Sequence, residues 1–126
     1  MNIPGDLKYT EGHEWVRVEG TVGYVGITDH AQHELGDIVY VELPEVDTEI
    51  EAKEEATNIE SVKAAAPVYS PVSGKIVKIN EDLGDNSELM NTDAYGAYIF
   101  AVEMSDSSEL DSLMDADAYT KFLEKE

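Results

Sequence analysis

The sequence is organised around Ile59-Glu60-Ser61-Val62-Lys63-Ala64-Ala65, a run that Ser70-Pro71-Val72-Ser73-Gly74 follows closely. Strand-like segments lie on both sides of it, so the arrangement predicts a β-hairpin with Lys63 at its tip, available for covalent modification. The small neighbours Val62 and Ala64 leave the lysine stem sterically open, as an attaching enzyme requires. On these residues alone, an ordinary surface lysine near a loop remains the simpler interpretation.

Alternation of apolar and polar residues predicts strands on both sides of this run. Residues 13–27 contain two alternating segments, and Glu19-Gly20 between them is typical of a hairpin turn. Thr28 and Gly36 suit the N-cap and the C-terminal stop of a two-turn helix. Further strands are predicted over 38–43, 74–79 and 98–104, and Val68, Tyr69 and Val72 also show a β pattern. Residues 45–58 are weakly patterned, and 80–97 is expected to form a long structured loop.

The C-terminal residues change from strand-like to helical spacing. Apolar residues recur at helical intervals after residues 105–108 and again after Asp115. The 105–108 cluster supplies one candidate N-cap, and Asp115 is the second. We therefore expect short helices over about 106–125 that pack on a β core. Strands and turns also repeat weakly around Lys63, which suggests a small barrel-like sandwich with few open edges.

Composition limits the partners of this chain. It has 126 residues, with 8 basic and 28 acidic side chains and a formal net charge of −20, which fits a single domain over 1–126. Such a charge repels phosphate backbones and anionic lipids, so we expect neither nucleic acid nor membrane binding. The acids would steer the protein toward basic patches on partner proteins, or they would only maintain solubility.

The sequence contains no cysteine, so it has no disulfide, thiolate nucleophile or cysteine metal ligand of its own. Any sulfur redox chemistry must then come from an attached cofactor. The N-terminus shows neither a secretory signal nor an Arg-rich transit segment, and no apolar run approaches the ~18 residues of a membrane span. A cytoplasmic location is therefore expected.

Candidate catalytic and metal-binding residues are few. His30 and His33 lie one helical turn apart and His13 is distant in sequence, so a three-histidine zinc site is conceivable. The spacing favours ordinary surface or partly buried histidines instead. The acidic loop 81–88 lacks the ligand spacing of an EF-hand, and neither a Ser-His-Asp order nor a phosphate loop occurs. We therefore predict no catalytic residue and no metal site.

Several motifs point to one known family. The most specific is Glu60-Ser61-Val62-Lys63-Ala64 combined with Gly74, eleven residues after the lysine. With the flanking motifs, which follow one another in order from about Leu7 to Phe122, it resembles the H proteins of the glycine cleavage system. The flanking motifs are His13-Glu14-Trp15-Val16, Gly26-Ile27-Thr28-Asp29-His30-Ala31-Gln32, Leu35-Gly36-Asp37-Ile38-Val39, Val41-Glu42-Leu43-Pro44-Glu45, Pro71-Val72-Ser73-Gly74, Glu88-Leu89-Met90-Asn91 and Ser108-Glu109-Leu110.

The resemblance implies a mainly β barrel-sandwich hybrid, as in lipoyl and biotinyl carriers, with a short internal helix and C-terminal helices. It also implies lipoic acid in amide linkage to Lys63. The residues implied to be recognised by a lipoate-attaching enzyme are Glu60, Ser61, Val62, Ala64 and Gly74.

The implied function is that of a carrier protein rather than an enzyme. In this family the lipoyl arm takes the aminomethyl group of glycine from a pyridoxal-phosphate-dependent glycine decarboxylase to an aminomethyltransferase. Dihydrolipoamide dehydrogenase then reoxidises the arm, and with the attaching enzyme these proteins are the implied partners.

The chain departs from the usual family sequence at several places. They are Val46-Asp47 where Gly-Asp is usual, Lys53 where glycine is common, the polar stretch Glu54-Glu55-Ala56-Thr57-Asn58, Ala65-Ala66-Pro67 after the lysine, and Ala97-Tyr98 in place of Gly-Trp.

Three alternatives remain open. A lipoyl domain of a 2-oxoacid dehydrogenase shares the lysine-on-hairpin design, but the N- and C-terminal motifs favour the H proteins. Biotin carriers resemble Ala-Met-Lys-Met, whereas Val62 and Ala64 flank the lysine here. An unmodified acidic interaction module of the same fold is the third, and the polar stretch 54–58 favours it slightly.

Overall fold

The computed structural model describes residues 2–126 and contains two β-sheets and several short helices. The strands are β1 Lys8–Tyr9, β2 Glu14–Glu19, β3 Val22–Ile27, β4 Ile38–Val41, β5 Glu49–Ile50, β6 Glu55–Ser61, β7 Ala65–Tyr69, β8 Gly74–Ile79 and β9 Phe100–Met104. The helices are α1 Asp29–Leu35, α2 Asp82–Asp85, α3 Leu89–Thr92, the 3₁₀-helix Ser107–Ser112 and α4 Ala116–Glu124.

The two sheets share one apolar core and do not close into a barrel. One sheet has six strands in the order β1-β2-β3-β9-β8-β5, and the other has three in the order β4-β6-β7. Both contribute fully buried side chains, each worth roughly 1.5–3 kcal/mol of stability relative to an exposed position. Members of this core include Val16, Val25, Ile59, Val68, Ile76 and Phe100. The predicted barrel-sandwich class is confirmed as a sandwich with open edges.

The first half of the chain follows the predicted pattern closely. β2 and β3 pair as a hairpin across the turn at Gly20, where φ is +65°. The hydroxyl oxygen of Thr28 accepts a hydrogen bond from the amide of Ala31 at 3.2 Å, which caps α1 as predicted. Gly36 ends this helix with φ +77°, a conformation that glycine adopts at low cost.

Two parts of the middle of the chain are more regular than their sequence pattern indicates. Residues 45–58 contain β5 and most of β6, whose inward-facing positions include the polar Thr57 as well as Ile59. A polar residue on the buried face interrupts the apolar alternation, which is why the sequence pattern of this strand is weak. Residues 80–97 are not simply a loop, because α2 and α3 each bury one apolar side chain, Leu83 and Met90.

The C-terminal helices pack on the N-terminal strands. Asp106 and Asp115 cap the 3₁₀-helix and α4 through their carboxylates, which confirms both predicted caps. The ring of Tyr119 on α4 stacks on that of Tyr9, with 4.7 Å between centroids. Together with Leu7 and Trp15, these residues form a second buried cluster. Within residues 2–126, no helix combines the length and apolarity that a membrane crossing requires.

Gly74 occupies a position in β8 where any side chain would clash with the neighbouring strand. Its φ is +154°, and a Cβ atom placed on it would lie 2.0 Å from the carbonyl oxygen of Glu103 and 2.8 Å from a methyl carbon of Val102. Because Glu103 belongs to the paired strand β9, the clash would be with backbone and could not be relieved by a rotamer change. The glycine therefore permits β8 and β9 to approach.

We expect Gly74→Ala to lower the free energy of unfolding by about 3 kcal/mol or more, because it combines overpacking with backbone strain. Two variants provide matched controls. Gly20→Ala places alanine at φ +65° with no atom within 4 Å and should cost only about 1–2 kcal/mol. Gly5→Ala, which also has no neighbour within that distance, should change stability by about 0.5 kcal/mol or less. Urea unfolding measures all three, and equal losses for Gly74→Ala and Gly20→Ala would contradict the backbone clash.

Candidate functional site

Lys63 lies at the tip of the hairpin formed by β6 and β7, as predicted. The two strands pair antiparallel down to Glu60 and Ala65, and residues 62–64 form the turn. The lysine side chain is exposed, as are its neighbours Val62 and Ala64. An enzyme can therefore reach the ε-amine without unfolding any part of the hairpin.

Ser61 organises the turn on which the lysine stands. Its backbone amide donates a hydrogen bond to the carbonyl oxygen of Ala64 at 2.8 Å, which closes the turn. Its hydroxyl oxygen accepts hydrogen bonds from the amides of Lys63 at 3.2 Å and Ala64 at 3.1 Å. One side chain thus satisfies two amides that strand pairing leaves free, in the manner of a serine turn.

The turn is also fastened to the segment that follows α1. The amide of Val62 donates to the carbonyl oxygen of Asp37 at 3.0 Å. The aliphatic stem of Lys63 passes over Gly36, since a Cβ atom placed there would lie 3.3 Å from the lysine Cε. The sequence assigned Gly36 only a role in ending α1, so its contact with the lysine was missed.

Asn91 forms hydrogen bonds with the backbone of this segment, and it was also not recognised as a site residue. Its side-chain amide donates to the carbonyl oxygen of Gly36 at 2.9 Å, and its side-chain oxygen accepts from the amide of Ile38 at 2.9 Å. It also donates to the side-chain oxygen of Gln32 at 3.0 Å. The Glu88-Leu89-Met90-Asn91 motif was the sequence signal for this segment, because it is one of the motifs by which the chain resembles the H proteins.

The predicted recognition residues fall into two groups. Glu60, Ser61, Val62 and Ala64 surround the lysine on the hairpin, and within residues 2–126 no carboxylate lies within 4.0 Å of the lysine amine. Gly74 belongs to the other sheet, where it pairs with β5 and β9. Its close approach to Glu103 explains why glycine is needed there, and contact with an attaching enzyme stays a prediction.

The departures from the family sequence are compatible with the hairpin. Lys53, which stands where glycine is common, adopts φ +72°, a left-handed conformation that lysine occupies at a conformational cost glycine would not incur. Asp47, next to Val46, adopts φ +74°. The polar stretch 54–58 nevertheless forms most of β6. Pro67 lies in β7, an edge strand of the three-stranded sheet, where the missing amide proton is tolerated.

Glu14 is a buried carboxylate that joins three segments. Its two oxygens accept hydrogen bonds from the hydroxyl of Thr10 at 2.5 Å and from the amide of Tyr69 in β7 at 3.2 Å. Burial raises the pKa of this carboxyl, and the hydrogen bonds from Thr10 and Tyr69 oppose the rise. The side chain therefore ties the base of the β6–β7 hairpin to β2.

Two of the three histidines lie together. The rings of His13 and His30 are 4.7 Å apart between centroids, and Glu126 approaches both. Burial lowers the pKa of His13, an effect that the nearby carboxylate of Glu126 opposes. His33 is exposed and not part of this group, so the His-x-x-His spacing did not identify the residues that meet.

Comparison with known proteins gives one consistent result. The family model described as "Glycine cleavage H-protein" matches residues 7–126. The glycine cleavage system H protein of Syntrophomonas wolfei is 54% identical over 126 residues, covering 100% of this chain and 97% of the relative. That of Stenotrophomonas maltophilia (strain R551-3) is 56% identical, with coverage of 98% and 96%. The crystal structure of a glycine cleavage system H protein from Mycobacterium marinum matches with a TM-score of 0.87 at 35% identity, covering 94% of this chain and 97% of that one.

We expect Ser61→Ala to loosen the turn without unfolding the strands. The amides of Lys63 and Ala64 would lose their acceptor, and hydrogen exchange at both should accelerate about fivefold, since one hydrogen bond contributes about 1 kcal/mol. Ser61→Asn is the matched control, because an asparagine side-chain oxygen accepts the same two amides. Unchanged exchange in Ser61→Ala, measured by NMR, would refute the role of this hydroxyl.

Proposed function

Because the chain belongs to the glycine cleavage H-protein family, we propose that it is a carrier protein that bears lipoic acid in amide linkage to Lys63. The exposed position of this lysine on a hydrogen-bonded turn is the observation that supports the proposal most directly. The lysine amine has no ionic partner among residues 2–126, and the neighbours of the lysine are small and exposed. These surroundings fit an acylated arm. Acylation would sacrifice no ion pair of the folded chain.

The protein's own contribution is to hold, present and dock the arm. The lipoyl group, when attached, supplies a disulfide for the transfer and redox chemistry of the system. Ser61 and Asp37 fix the backbone on both sides of the attachment point, so the arm swings from a defined origin. Tethering then raises the effective concentration of the reactive end at each active site in reach.

We infer that four proteins act on this carrier. The pyridoxal-phosphate-dependent glycine decarboxylase would load the aminomethyl group and the aminomethyltransferase would unload it. Dihydrolipoamide dehydrogenase would reoxidise the arm, and a lipoate-attaching enzyme would install it. Membership of the family supports this set, and the chain itself is proposed to catalyse no step. The cytoplasmic location stays a prediction.

Attachment is proposed to depend on the shape of the turn rather than on a charged anchor. Glu60, Val62 and Ala64 are exposed around the lysine, and Ser61 holds the turn from within. Gly74 would act indirectly, by letting β8 and β9 approach and so supporting the sheet opposite the hairpin.

The alternatives receive less support. A lipoyl domain of a 2-oxoacid dehydrogenase would not explain a family match that extends through the C-terminal helix to residue 126. An unmodified acidic module of the same fold would leave Lys63 free in protein produced with an active attachment system. Intact mass measurement separates this second candidate from the carrier.

We expect Lys63→Arg to abolish lipoylation and glycine–bicarbonate exchange while leaving the fold unchanged. Arginine keeps the positive charge, but its guanidinium is not the amine that the attaching enzyme acylates. The variant is co-expressed with a lipoate ligase, and peptide mass spectrometry locates the modification.

Lys53→Arg is the matched control, because Lys53 is also an exposed lysine in a turn. It should be lipoylated at Lys63 and should support normal exchange with the decarboxylase. A lipoyl group found on any lysine other than Lys63 would contradict the assignment, as would full exchange activity in Lys63→Arg.

We expect docking to the decarboxylase to slow as salt rises. A net charge of −20 produces a long-range field, and screening at physiological ionic strength reduces its reach to about 8 Å. The association rate should fall by about tenfold from low to physiological salt, with little change in the dissociation rate. Stopped-flow binding measures both, and a flat association rate would leave the acidic surface with a role in solubility only.

A further inference from the structure

Three side chains from distant parts of the sequence converge at the C-terminal end of α4. They are His13 from the loop between β1 and β2, His30 from α1 and Glu126 after α4. One ligand atom from each lies within 4.8 Å of the others. The geometry points to a zinc site formed by His13, His30 and Glu126, none of which belongs to the β6–β7 hairpin that carries Lys63.

The distances already approach those of a metal site. A tetrahedral Zn²⁺ with bonds of about 2.0–2.1 Å holds its ligand atoms about 3.3–3.4 Å apart. The Nε2 atom of His13 lies 3.1 Å from one oxygen of Glu126, and that of His30 lies 3.5 Å from the other. The three ligand atoms lie within 4.8 Å of one another, so a bound ion would draw the more distant ones together by side-chain rotation.

The imidazole of His13 is held with Nε2 facing the cluster. Its other nitrogen, Nδ1, lies 2.8 Å from the hydroxyl of Tyr119, which lies 2.8 Å from the hydroxyl of Thr28. When Nδ1–H donates to Tyr119 and Tyr119 donates to Thr28, Nε2 carries a free lone pair. Such an outer hydrogen bond orients most metal-bound histidines in proteins.

His30 comes with a neighbouring carboxylate that can complete the coordination. Glu34 lies one turn further along α1, and its side-chain oxygen is 3.8 Å from Nε2 of His30. This carboxylate or a water molecule would occupy the fourth position. Both histidine side chains keep about 19% exposure, so an ion can enter from solvent.

The donor set selects the type of metal. Two imidazole nitrogens with carboxylate oxygens suit Zn²⁺, whereas Mg²⁺ and Ca²⁺ prefer sites made of oxygen alone. A bound ion would connect the β1–β2 loop, α1 and the end of α4. It would therefore be expected to stabilise the C-terminal helix against the N-terminal half of the chain.

Isothermal titration of metal-free full-length protein with Zn²⁺ tests the site, in physiological salt to weaken scattered binding by surface acids. We expect one ion per chain and a rise in Tm, because an ion that binds only the folded state stabilises it. His30→Gln and Glu126→Gln should each weaken Zn²⁺ binding by more than the ~10-fold typical of losing an outer partner.

Two control variants remove the same kinds of side chain, one histidine and one glutamate, from positions outside the cluster. His33→Gln removes the exposed histidine of α1, and Glu124→Gln removes a carboxylate at the end of α4; both should bind Zn²⁺ like the wild type. Equal affinity in all five proteins would show binding by dispersed surface carboxylates and overturn the site. The absence of a saturable one-to-one isotherm in the wild type would overturn it as well.

Discussion

The antiparallel pairing of β6 with β7 is the interaction on which the rest of the structure depends. Its inner face buries Ile59 and Val68 in the core between the sheets, and its outer end carries Lys63 into solvent. The same two strands therefore contribute to folding at one end and to function at the other. Loss of their register would expose apolar side chains and displace the lysine together, because a one-residue slip reverses the face of every side chain.

A carrier has two requirements that conflict on most protein surfaces. The attachment lysine must be free enough for an enzyme to acylate it, yet its backbone must be fixed so that the arm starts from a defined point. The structure separates the two, because hydrogen bonds at Ser61 and Asp37 restrain only the backbone. The side chain of Lys63 rests on Gly36 without an ionic partner among the described residues. Rigidity of the backbone comes from the hydroxyl of Ser61 and from main-chain hydrogen bonds, whereas the amine has no ionic partner among residues 2–126.

The N- and C-terminal segments are connected to each other through α4. Tyr119 stacks on Tyr9 and forms hydrogen bonds with Thr28 and His13, so α4 contacts the beginning of α1 through a buried polar network. The proposed zinc site would add to this connection at the end of α4. Because α1 leads directly to the segment that contacts Lys63, this helix connects the C-terminal helix α4 to the hairpin.

The sequence by itself determined the β2–β3 hairpin and the capped helix α1, because local turn and cap chemistry encodes them. It determined the family and the lysine at the hairpin tip through motifs that follow one another in order along the chain. It predicted the first part of β6 only weakly and did not predict the helices around Leu83 and Met90, since those depend on burial against distant residues. Gly36 and Asn91 were missed as site residues for the same reason, as their contacts cross between segments far apart in the chain. Only the tertiary structure brought His13 and His30 to Glu126, because spacing within one helix cannot show which side chains converge from three separate elements.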